Sequence, residues 1–194
     1  MLKKVFVLGL LAIALILGAV AQPVAAAEFT PTTASWEEIQ NQANAISQQA
    51  AAIVSEAQAI QNYAEQIKSN ENNPAVNEWA SEIIALASQT EQDAANIMVT
   101  ANDINTRIDN SEGTTLTLAD DIGIMADRIG EMADRILWTE LQIGIMADRI
   151  VESEYLISNS SLSLAQMIQN SNSNIASNAN AIHTEANIIK NLLP

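Results

Sequence analysis

The chain has 194 residues, 48% of them hydrophobic, with no cysteine, one histidine, and 23 acidic against 8 basic side chains. The missing Cys excludes disulfides, a lipobox, thiol catalysis, c-type haem attachment and Cys-ligated zinc. The acidity argues against phosphate-mediated binding of DNA or RNA, which needs clustered Lys and Arg, and one His excludes His-rich metal sites and multi-histidine catalytic sets.

Residues 1–27 read as a secretory signal peptide. Lys3 and Lys4 supply a positive start, an apolar run follows from Val5 to Val20, and Ala25-Ala26-Ala27 offers small residues before a cut at Glu28. Ala19-Val20-Ala21 is a second-choice site. The apolar run is 16 residues, short of the ~20 that a membrane span needs. The expectation is therefore an exported protein, periplasmic or extracellular, with an uncleaved membrane anchor as the alternative. Cleavage leaves 6 basic and 23 acidic residues, a net charge of −17.

A short extended lead, residues 28–34, precedes a chain written in heptads, expected to fold as a single bundle domain over residues 35–194. Ile39, Ile46, Ile53, Ile60 and Ile67 are seven apart, and Ala43, Ala50, Ala57 and Ala64 follow four residues after each of the first four. This 4,3 spacing is the seam of a coiled coil. Ser35 with Glu38 forms a capping box, which predicts a first helix over residues 36–69. Asn73-Pro74 supplies an N-cap and a proline at the first helical position of a second helix, residues 74–111. In that helix Val76, Ile83, Thr90, Ile97 and Ile104 make one row, and Ala80, Ala87, Ala94, Ala101 and Ile108 the other. Gly113 closes it. Thr117, Asp120 and Asp121 open a third helix, residues 117–157, with negative charge at the positive end of its dipole.

The third helix carries four tandem heptads. Gly123–Ile129 reads Gly-Ile-Met-Ala-Asp-Arg-Ile; Gly144–Ile150 repeats it, Gly130–Ile136 differs only in Glu131, and Leu137–Ile143 is a divergent copy. Ile129, Ile136, Ile150 and Met125, Met132, Met146 form a bulky apolar edge, and Ala126, Ala133, Ala147 a small one. Gly123, Gly130 and Gly144 each cost about 1 kcal/mol relative to Ala inside a helix, so close helix packing is their expected reason. Arg128, Arg135 and Arg149 form a stripe that reads first as a solvated face with weak ion pairs, with acids of the second helix such as Glu82, Glu91 or Asp103 as the alternative partners. Ile124, Trp138, Leu141, Ile145 and Tyr155 fall outside the apolar arc and are the candidate partner-contact residues.

Ser158-Asn159-Ser160-Ser161-Leu162-Ser163 reads as the last loop, giving a fourth helix over residues 162–193 with Ile168, Ile175, Ile182 and Ile189 as its core row. The predicted fold is all-α: an elongated antiparallel four-helix bundle with heptad packing. The alternative is a three-helix arrangement with one very long C-terminal helix. The outer face of the last helix is read as Asn and Ser: Asn170, Ser171, Asn174, Ser177, Asn178, Asn187 and Asn191.

No chemistry emerges from the residue patterns. A di-iron site needs Glu-x-x-His pairs, and the sole His183 has Asn180 three residues before it. The methionines sit at core positions and read as filler rather than haem or copper ligands. Asp109-Asn110-Ser111-Glu112-Gly113 only faintly echoes a calcium loop. There is no nucleophile with its base, and carboxylates are expected on solvated faces where nothing raises their pKa. The chain thus reads as a non-enzymatic structural or protein-interaction module without metal or cofactor, binding a protein partner or itself. One alternative is a membrane-active bundle, although inserting residues 122–150 with their eight charged side chains would cost on the order of 20 kcal/mol. A bundle holding a small apolar ligand or a metal is the other.

Overall fold

The computed structural model describes residues 33–110 and 116–193. They form α1 (Thr33–Asn70), α2 (Pro74–Asp109), α3 (Leu116–Glu152), a short 3-10 turn (Glu154–Leu156) and α4 (Asn159–Leu192). There is no strand among the described residues. The expected export signal lies outside them. Thr33 and Ala34, placed in the lead by the sequence, are helical.

Each helix packs against its neighbours in sequence, and α4 closes the ring onto α1. The molecule is thus a four-helix bundle, not the three-helix alternative. The direction of packing is visible in side-chain bonds. Gln40 donates to Asp109 at 2.7 Å, Asn105 to Asn44 at 2.8 Å, and Ser47 to Asn102 at 3.5 Å. One number rises as the other falls, so α1 and α2 are antiparallel.

The heptad rows are the core. The Ile residues of the α1, α2 and α4 rows are fully buried except Ile108, which is half-buried near the end of α2, and the Ala residues between them are buried. Small and large residues alternate along each seam, so the backbones approach at Ala while Ile fills the remaining space. Each buried Ile contributes about 1.5–3 kcal/mol. On α3, Ile129, Ile136 and Ile150 are buried completely, and Met125, Met132 and Met146 almost so.

The helix ends follow from capping. Asn73 accepts from the amides of Ala75 at 3.0 Å and Val76 at 3.4 Å, with Pro74 opening α2, as the sequence predicts. The expected Ser35 box lies inside the first turn of α1, which starts two residues earlier. The last loop needs a larger correction. The chain breaks between α3 and α4 at Ser153–Ser158, not at Ser158–Ser163. Ser158 is the N-cap of α4, its hydroxyl accepting from the Ser161 amide at 3.2 Å, and Asn159–Ser163 is helical. The polar cluster that reads as a loop is a helix start. Glu71, from the α1–α2 connection, reinforces it by accepting from the Ser158 amide at 2.9 Å and hydroxyl at 2.7 Å. A carboxylate there also faces the positive end of the α4 dipole.

Candidate interaction surface on the third helix

Two charged rows run along α3, one toward each neighbour. The Asp row meets α4: Asp127 pairs with Lys190, Asp134 Oδ1 lies 2.8 Å from His183 Nδ1, and Asp148 accepts from Gln169 at 2.6 Å. Both sets advance in sevens, so the tandem repeat is in step with α4. The Arg row faces α2. Arg135 makes a two-pronged contact with Asp93, at 2.8 Å through Nη2 and 3.3 Å through Nε, and Asp93 is almost wholly buried. Hydrogen bonding to Asp93 raises the Arg135 pKa further. At the end of α2, Arg107 pairs with Asp121 at 2.7 Å.

The arginine stripe is exposed, as its solvated-face reading expects, and only Arg135 takes an acid of the second helix, though not one of the three named from the sequence. Arg135 takes Asp93 rather than Glu82, Glu91 or Asp103. Glu91 instead accepts from Gln58 at 2.7 Å and Gln61 at 2.8 Å on α1, which hold its pKa below the usual value. Arg128 and Arg149 make no ion pair among the described residues.

The divergent heptad Leu137–Ile143 is where polar chemistry enters the core. Thr139 replaces the repeat's Met and is buried 2.9 Å from Thr90, which itself stands in the Ile row of α2. Thr139 donates to the Ile136 carbonyl at 2.9 Å, so the Thr90 hydroxyl donates to Thr139. Glu140 replaces the repeat's Ala. Its backbone carbonyl and its Oε1 both accept from the Asn172 amide, at 2.9 and 3.1 Å. Asn172 and Ser171 are buried, so Ser171 does not belong to the outer Asn/Ser face where the sequence placed it.

Burial raises the pKa of Glu140. It does the same for Glu185, opposed by a hydrogen bond from Gln49 at 2.9 Å. This corrects the expectation that no carboxylate has a raised pKa. The two lie on different helices, each tied to an amide rather than to the other.

The candidate close-packing glycines separate into two kinds. A Cβ on Gly123 would meet Leu193 at 3.5 Å, and one on Gly144 would meet the Asn172 amide at 3.4 Å. Both are ordinary contact distances. Gly130 faces open space, with nothing within 4 Å. Close packing does not account for Gly130.

The candidate contact residues are all exposed, but they do not form one strip. Trp138 (61%), Leu141 (57%) and Ile145 (40%) stand at i, i+3 and i+7 and share one face. Trp138 occupies an Ile position of the repeat and Leu141 an Asp position. Ile124 (59%) is on the same row about 21 Å away along the axis. Tyr155 is 92% exposed in the 3-10 turn, not on α3 as its expected place required. The Leu137–Ile143 departure and Thr90 in an Ile row were the available signals for the polar contacts. Asp93 and Asn172 carried none.

Among the described residues no group of three His, Asp or Glu side chains could hold a metal ion, and no helix is long and apolar enough to cross a membrane. The calcium-like stretch Asp109–Gly113 lies mostly outside the described residues. Comparison of the chain with protein-family models, curated proteins and solved structures gives no significant match.

Proposed function

We propose that this chain is an exported, non-enzymatic helical bundle that serves as an interaction module, presenting the Trp138–Leu141–Ile145 face of α3 to a protein partner. The observation that carries this reading is the exposure of these three residues at one place. The bundle buries every core row, yet here the repeat exchanges an Ile for Trp and an Asp for Leu on the outside. Trp is a common anchor of protein interfaces, and a clustered apolar face on a soluble bundle marks a contact.

Charge argues for a foreign partner with a basic rim. Two copies of the mature chain would bring −17 against −17. The export reading rests on Lys3-Lys4, the Val5–Val20 run and the alanines before Glu28.

The test is site-specific photocrosslinking in the source cells. A benzophenone side chain at Trp138 or Leu141 should give a discrete adduct that is lost in Ile145→Glu and weakened by salt. The same label at the exposed Ser88 on α2 should not. No adduct at 138 or 141, or the same adducts from 88, would sink the proposal. An adduct of twice the chain mass would replace the foreign partner with a second copy.

A further inference from the structure

A groove of about 550 Å³ runs between α2 and α3, apart from the α3 contact face. Met125 and Met132 form its floor, and Val99, 61% exposed, stands at its rim. Arg107, Arg128 and Arg135 line it. The chain has only six basic residues after Lys4, and three of them converge here.

Two of the three are committed. Arg107 is held by Asp121 and Arg135 by Asp93. These pairs also set the register of the two helices. Arg107 lies opposite Asp121 and Asp93 opposite Arg135, which places Thr100 opposite Arg128. Thr100 carries no charge, and its hydroxyl donates to the Asn96 carbonyl at 2.9 Å. Asp103 and Glu131 also line the groove, but neither comes within ion-pair distance of Arg128 among the described residues. Among the described residues, Arg128 is the groove cation left with its fork of donors unused.

We infer that this groove binds a small organic monoanion, a carboxylate or sulfonate on an apolar, preferably aromatic, body. The acid group docks on Arg128, where planar forked geometry suits it. The body lies over Met125 and Met132, whose thioethers contact aromatic rings favourably. With Arg107 and Arg135 neutralised, Asp103 and Glu131 outweigh Arg128, so the groove has no surplus positive charge: a dianion is disfavoured, and a monoanion is held by the direct contact with the Arg128 fork rather than by the field of the groove. A volume of this size matches small-ligand pockets in general.

The probe is 2-naphthoate, with neutral 2-naphthylmethanol as its control, titrated into protein labelled with 13C at the Met methyls. The methyl signals of Met125 and Met132 should shift saturably with the anion, while that of Met146, in the same row but outside the groove, stays still. Arg128→Gln should weaken binding about tenfold, the value of a charged hydrogen bond. Arg149→Gln removes the same charge from the same row outside the groove and should change affinity by less than about twofold. Equal binding of the alcohol, equal effects of the two substitutions, or no shift at Met125 and Met132 would each overturn the inference. None of these outcomes bears on the crosslinking at Trp138.

Discussion

At the scale of single residues, α3 combines positions that resist change with one that invites it. Gly130 has open space where a Cβ would stand. Gly130→Ala should therefore raise the unfolding free energy by about 1 kcal/mol in a urea titration. Gly144→Ala should gain less, because its Cβ would touch the Asn172 amide that serves Glu140. The Thr90–Thr139 contact behaves in the opposite way. Thr139→Val strands the buried Thr90 hydroxyl and should cost about 1–3 kcal/mol. Adding Thr90→Val removes the stranded group, so the double variant should recover most of the loss. A double-mutant cycle by chemical denaturation measures the coupling.

At the scale of elements, capping decides where helices begin. Ser158→Ala should cost about 1 kcal/mol and speed amide exchange in the first turn of α4, leaving α2 protected. Helix number, the core rows and the Asn73-Pro74 start were legible in the sequence because each is written locally, in spacing or in a cap. The end of α3 was not. Ser-x-x-Ser at 158–161 reads equally as a polar loop or as an N-cap. Its use as a cap is favoured by Glu71, 87 residues away in sequence. The same distance problem governed the candidate face. Trp138, Leu141 and Ile145 could be found because they fall off the apolar arc of their own helix. Tyr155 falls with them only on a helix that runs to residue 157, and the helix ends at Glu152. Asp93 stayed hidden because a lone acid beside a core row gives no hint that an arginine 42 residues on will cover it.

At the scale of the whole molecule, the shifted carboxylates act against one another across pH. Glu140 and Glu185 have raised values, so their protonation adds stability as pH falls toward the ordinary carboxylate range, and that stability is lost as pH rises through their folded-state values. Glu71 and Glu91 are lowered. For Glu71 the causes are the Ser161 hydroxyl first, opposed by burial, then the Ser158 amide and hydroxyl. These two contribute stability above the ordinary range that disappears as pH falls through their lowered values. Partial neutralisation of so acidic a chain also relieves its self-repulsion. Thermal stability should therefore rise from pH 7.5 to a maximum near about pH 5 and fall again below about pH 4. Melting curves of the wild type beside Glu140→Gln and Glu185→Gln check this: the double variant should flatten the limb above the maximum and leave the acid limb in place.

The tandem repeat carries a hazard of its own making. A helix built of near-identical heptads could slide by one unit, about 10.5 Å, and still offer Met and Ile to its neighbours at every step. Most of the core would not register the slip. The Thr139 hydroxyl would. One unit either way it would face Ile83 or Ile97, and Thr90 would face Met132 or Met146, leaving both hydroxyls without their mutual bond. The divergent heptad thus works as an index mark on a ruler whose other divisions look alike. A chain in which all four copies matched would have several nearly equal alignments of α3 to choose among, and no side chain in its core to tell them apart.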